Sequence, residues 1–236
     1  VMAGKVLIAG ASGVVGAAAV DEFLAQGWEV VALSRRKPEV DSDKPFTHLA
    51  VDLRDATASR EALAAMADVT EVVYAALFEK PGLIAGWSER DQMDTNLSML
   101  RNCLEPLLGA AGKLKHVSLL QGTKAYGIHL HPMPIPARER APRDDHQNFY
   151  WLQEDYLVSC ASRAGFDYSI LRPQLIIGSA YGVAMNLVPV LGVLIGAMVL
   201  NEAIELKILI ALAFVMSGLF AARLAVRAEP PKRERV

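Results

Sequence analysis

Cysteine is scarce. The chain of 236 residues has two, Cys103 and Cys160, each inside a stretch that reads as helix. Two isolated thiols exclude a disulfide framework and a cysteine-based metal site, and read as small core residues. A surplus of positive charge is missing too. The formal net charge is −2, which argues against nucleic acid as a partner. The opening residues do not form the long apolar region of a secretory signal. Val6, Leu7 and Ile8 follow one lysine and run straight into glycines, so they read as a strand, and the first domain is expected in the cytoplasm. The last absence is local. Charged residues are frequent up to Arg172, then none occurs from Pro173 through Asn201.

What is present alternates between two periodicities. KVLIAG is a short apolar run ending in glycine, as in a buried parallel strand. A helical pattern follows over 14–26. WEVVALS reads as a second strand and FTHLAVDL as a third, with a helix over 57–66. VTEVVYAAL is a fourth strand, before a long helix over 89–108. LKHVSLLQG is a fifth. Residues 127–146, rich in proline, histidine and charge, read as a loop. A helix over 149–165 ends at Gly165, a common helix terminator, and FDYSILRP is a sixth strand. The alternation of strand and helix predicts an α/β fold, a doubly wound parallel Rossmann sheet.

The first strand-to-helix junction holds Gly10, Ser12, Gly13, Val14, Val15 and Gly16. Glycines there allow a tight turn and let the backbone approach a pyrophosphate, while the helix N-terminus supplies N–H donors. Strand before and helix after give the motif its weight, against the competing reading of a plain turn. The second strand ends in Ser34, Arg35 and Arg36, where an acid usually holds the ribose of NAD. Arginine suits the additional phosphate of NADP, so the expected cofactor is NADPH. A solvated basic turn is the alternative. Asp52 and Leu53, closing the third strand, are candidates to cover the adenine. Ala75, Ala76 and Leu77, closing the fourth, are candidates to line the cofactor. For both groups, simple strand ends remain open.

Hydride transfer to a ketone or enone needs a group that stabilises the developing oxyanion. A tyrosine hydroxyl can do this, helped by a nearby ammonium. The usual lysine four residues after the tyrosine is absent: Glu154 follows Tyr150 and Cys160 follows Tyr156 at that spacing. Lys124, just past the fifth strand, would reach the same edge of the sheet, beside the start of the helix that carries Tyr150. Tyr150 as a core aromatic is the competing reading. Tyr126 and Tyr156 read as packing residues. His129, His131 and His146 gather around the loop, but their spacing fits no common ligand pattern, and no metal is expected. A loop that covers the substrate is the reading preferred there.

Several motifs in order resemble the progesterone 5β-reductase and iridoid synthase group of short-chain dehydrogenases. They are Gly122-Thr123-Lys124-Ala125-Tyr126, Asn148-Phe149-Tyr150-Trp151 with Glu154-Asp155, Asn96 to Asn102, and Arg172-Pro173-Gln174-Leu175-Ile176-Ile177-Gly178. The resemblance runs from about residue 4 to residue 187. It implies NADPH-dependent reduction of a small enone or carbonyl compound. It makes Lys124 and Tyr150 the catalytic pair and adds Ile176 to the cofactor contacts. The family's second tyrosine is Trp151 here. The rival readings are a nucleotide-sugar epimerase or dehydratase, and a non-catalytic NADP-binding fragment.

The expected domains are a reductase domain over 1–186 and an apolar helical tail over 187–236. Residues 187–200 and 208–222 are apolar on all sides, with the polar Asn201 to Glu205 between them. Each is a little short of the ~20 residues that cross a bilayer. Pro189, Val190, Gly196, Leu200, Glu202 and Gly218 resemble the last helix pair of EamA-type drug/metabolite transporters. Arg223, Arg227, Lys232, Arg233 and Arg235 would favour a cytoplasmic C-terminus. Three readings stay open: a membrane anchor through 187–222, a soluble helix pair packed on the first domain or on a second subunit as a homodimer, and a fused or truncated chain. In each, the substrate pocket is expected to be incomplete and activity low.

Overall fold

The computed structural model describes residues 4–80, 87, 89–110, 113–138 and 141–176. The expected tail over 187–236 lies outside them. Among the described residues no helix is long and apolar enough to cross a membrane.

Six strands form one parallel sheet: β1 (Lys5–Ala9), β2 (Glu29–Leu33), β3 (Thr47–Leu49), β4 (Glu71–Tyr74), β5 (His116–Leu120) and β6 (Asp167–Leu171). Their order is β3-β2-β1-β4-β5-β6. The helices between them are α1 (Val14–Ala25), α2 (Ala56–Leu63), α3 (Arg90–Ala110) and α4 (Phe149–Ala164).

Alternate side chains of a strand point to opposite faces, and the two faces of this sheet bury separate cores. Val6, Ile8, Val30 and Ala32 pack with Val20 and Leu24 of α1. Leu7, Ala9, Val31 and Leu33 pack with Leu63 of α2, Leu100 and Leu104 of α3, and Leu157 of α4. This is why β1 and β2, after the charged Lys5 and Glu29 that open them, are apolar at successive positions rather than at every second one. Cys103 and Cys160 belong to the second core, as free and buried thiols.

The strand ends differ from the sequence expectation. β3 stops at Leu49, four residues short of Leu53, because its neighbour, β2, stops at Leu33, the partner of Leu49 in register. The Val51 N–H then donates to Leu49 O at 3.0 Å, bending the chain away. Residues 51–53 are thereby turned from strand into the wall of a cleft. The chain runs outward from β1 to β3, then returns to place β4 on the other side of β1. Ligands of such sheets bind at that switch point, beyond the carboxyl ends of the strands.

Candidate functional site

At the β1/β4 switch point a cleft of about 310 Å³ opens. Gly10, Ser12 and Gly13 form one side. Ser34, Arg35 and Arg36 form the second, Asp52 and Leu53 the third, and Ala75, Ala76 and Leu77 the fourth. Most of the cofactor candidates read from the sequence therefore meet in one place. Val14 and Val15 are not in the lining: they are the first two residues of α1, with Val14 largely exposed. Ile176 is also outside it, exposed five residues past the end of β6.

Two glycines make the turn. Gly10 has φ +82°, and a Cβ there would lie 2.7 Å from the Ala75 carbonyl carbon. A Cβ on Gly16 would lie 2.2 Å from Gly10 O, so Gly16 lets α1 pack against the turn rather than touching the cleft itself. Gly13 is the N-cap of α1 and carries no side chain to bond the first-turn N–H groups. Gly13 lines the cleft and stands at the positive end of the helix, an arrangement suited to an anion.

The walls show residues that sequence reading passed over. Arg54 grips the Asp52 carboxylate in a two-pronged pair, with Nη2 to Oδ2 at 2.6 Å. This pair, more than the burial that opposes it, holds Asp52 below the usual carboxylate range. The Arg54 guanidinium also covers the Phe78 ring at 5.4 Å. Phe78 and Met99 complete the floor. Ser34 is buried and ties the Arg35-Arg36 turn, donating from its hydroxyl to Arg36 O at 2.6 Å.

Beyond the cleft, Lys124 and Tyr150 converge on Trp87. A short 3-10 turn over Thr123–Tyr126 follows β5 and carries Lys124. The Lys124 ammonium sits 3.7 Å from the centre of the Trp87 ring. Tyr150, in the first turn of α4, meets the same indole edge to face with centroids 5.2 Å apart. The Trp87 N–H donates to Glu79 Oε1 at 2.6 Å, and that oxygen is 3.7 Å from Lys124 Nζ. Burial lowers the Lys124 pKa, and Glu79 partly offsets it. Burial, and then the Glu79 charge, push the Tyr150 phenol up to about 12. A Cβ on Gly122 would lie 3.3 Å from the Tyr150 hydroxyl oxygen, so a glycine there leaves room beside that oxygen.

Four buried side-chain amides, two of them on α3, fix this arrangement. Asn148 caps α4 by accepting from Tyr150 N at 3.0 Å, and donates to Lys124 O at 2.9 Å. One residue thus locks the two turns together. Gln121 donates to Tyr150 O at 2.9 Å. Asn96 bonds both backbone groups of Phe78, and Gln92 accepts from Lys80 N at 2.9 Å, so the loop that carries Glu79 is held through its main chain.

The histidines gather on a carboxylate. His131 Nε2 and His146 Nδ1 lie 2.8 and 2.6 Å from the two oxygens of Asp144, and the His129 ring lies 5.4 Å from that of His146. Among the described residues no group of three or more histidine, cysteine or acidic side chains is arranged to hold a metal. Tyr126 stacks under Arg172, and Tyr156 under Arg101. Trp151 lies between Arg143 and Arg172.

The switch-point cleft, its glycine turn and the uncapped helix define a nucleotide-binding α/β domain. The chain belongs to the NAD dependent epimerase/dehydratase family, whose sequence pattern matches residues 6–202. A 3-oxo-Delta(4,5)-steroid 5-beta-reductase of Arabidopsis thaliana is 34% identical over 171 residues, covering 68% of this chain and 42% of its own length. An (S)-8-oxocitronellyl enol synthase of Nepeta racemosa is 30% identical over 196 residues, covering 77% and 48%. The chain thus spans less than half the length of these two relatives. Among solved structures, the UDP-glucose 4-epimerase of Bifidobacterium longum superposes with a TM-score of 0.59 at 19% identity, over 71% of this chain and 52% of that one. The UDP-glucose 4-epimerase of Thermus thermophilus gives 0.57 at 23%, over 77% and 61%. At this identity the likeness is one of fold.

Proposed function

We propose that the protein is an NADPH-dependent reductase of a small activated enone or carbonyl compound, acting in the cytoplasm. The observation that carries this reading is the meeting of Lys124 and Tyr150 on one indole at the carboxyl edge of the sheet. The named activities of the steroid reductase and enol synthase relatives support it.

The residues fit a dinucleotide. The first-turn N–H groups of α1 would receive the pyrophosphate. Arg35 and Arg36, on the opposite wall, would pair with a 2′-phosphate. Asp52 is already engaged by Arg54, so it does not supply the free acid that a ribose hydroxyl would ask for. When bound, the nicotinamide supplies the hydride. Tyr150, a neutral phenol, would donate a hydrogen bond to the substrate carbonyl oxygen and hold the negative charge that grows there. Lys124 would orient that hydroxyl and add positive field. The bulk of Trp87 and Phe149 against Tyr150 would exclude water from this bond.

For residues 187–222 we propose contact with a membrane, on the sequence alone. The epimerase alternative draws on the family pattern, but the tyrosine with lysine four residues on is missing.

The test is NADPH consumption with a small cyclic enone, with NADH as the comparison. Turnover with NADPH is expected, and should fall about 10²–10³-fold in Tyr150→Phe and in Lys124→Ala. Turnover that persists in both variants, or NADPH bound without any turnover, would overturn the reductase reading.

A further inference from the structure

We propose that Glu79 is a positioning residue for Lys124: its carboxylate, aimed by the Trp87 indole N–H, holds the Lys124 ammonium seated on the indole face. This deepens the reductase reading and rests on it for its meaning, though not for its test.

The geometry is a closed triangle of contacts. Glu79 Oε1 accepts from Trp87 Nε1 at 2.6 Å and lies 3.7 Å from Lys124 Nζ, while Nζ lies 3.7 Å from the ring centre of the same tryptophan. An ammonium over an indole face is attracted by the ring quadrupole. The ring cannot fix where over its face the cation sits, whereas a carboxylate at the ring edge can. Trp87 is nearly fully buried, so the N–H needs an acceptor, and Glu79 gives it one. The Glu79 backbone lies between Phe78, bonded by Asn96, and Lys80, bonded by Gln92, so the carboxylate is delivered from a fixed loop.

The electrostatic consequence follows from where the groups sit. Burial disfavours the charge on Lys124, and the Glu79 carboxylate opposes that. The same negative charge disfavours ionisation of Tyr150. One carboxylate thus favours the charged lysine and the neutral tyrosine. His129 borders this corner, its ring 6.3 Å from that of Trp87, and its own charge is disfavoured by burial, by His146 and by Lys124. Behind it lie Asp144 and His131.

The experiment reads the lysine directly, so it needs no substrate. Lys124 is followed by NMR in reductively methylated full-length protein, assigned with Lys124→Arg, and titrated in wild type and in Glu79→Gln. The amide still accepts the indole N–H, and the position is partly exposed, so the fold is expected to survive. The Lys124 midpoint should drop by about one pH unit in Glu79→Gln and recover in part in Glu79→Asp. A midpoint unmoved in Glu79→Gln overturns the proposal, whatever the turnover assays give. In those assays, Glu79→Gln should lower kcat on the alkaline side with the KM for NADPH unchanged. A wild type that reduces no enone would sink the reductase reading while leaving the titration result standing.

Discussion

Tyr150 meets two opposing demands. The proposed role asks for a dry pocket that strengthens its hydrogen bond, and that same burial resists its ionisation. Its phenol is pushed up to about 12, from an ordinary value of 10.0. A raised folded value means that the neutral phenol stabilises the fold. That stability is complete below about pH 10 and is lost as pH climbs through about 12. The denaturant midpoint of the wild type should therefore fall between about pH 9.5 and 11.5, and should fall less in Tyr150→Phe. Tyr156 and Cys103 are raised as well, so it is the difference between the two proteins that isolates Tyr150. Equal losses would mean that the hydroxyl is better solvated than its surroundings imply. At this scale the sequence named Lys124 and Tyr150 because each lies at a fixed place relative to a strand or a helix start. Glu79 and Trp87 carry no such mark. They stand in the loop between β4 and α3, and only the tertiary fold brings them under Lys124.

Among the elements, the join between the 3-10 turn and α4 sets how Lys124 and Tyr150 stand to one another. Asn148 serves both, as helix cap and as anchor of the Lys124 carbonyl. Asn148→Ala should cost about 1 kcal/mol by the lost cap. It should also reduce kcat several-fold with little change in the NADPH KM, since the cleft stays intact. A stability loss with kcat unchanged would assign Asn148 to the helix alone. Strand and helix identities were legible because β1 and β2 run apolar after their first residue and the helices repeat at 3.6 residues. Boundaries were less so. Val51 to Leu53 look like strand by composition, yet β2 offers them no partner past Leu33. The Asp52–Arg54 pair, close in sequence, could have been suspected from that bend; the cover of Phe78 by Arg54 could not.

For the whole molecule, the strand order places every shared wall of the cleft at one switch point, and alternation of strand and helix was enough to expect this. The reading of residues 187–222 as membrane-contacting makes a separate prediction. The full chain should float with phospholipid vesicles in a density gradient, and a chain carrying Leu194→Asp and Leu212→Asp should stay behind. Flotation unaffected by both charges would place any lipid contact elsewhere. Within the described domain, the loop over 78–80 is gripped at its main chain by Asn96 and Gln92, so part of what fixes its shape is independent of the side chains it displays. Leu77, which is exposed at the cleft, can then be exchanged without rebuilding the scaffold beneath it. That uncoupling of conformation from identity makes this loop the natural ground for chemical drift, and the first place to diversify when a new substrate is sought.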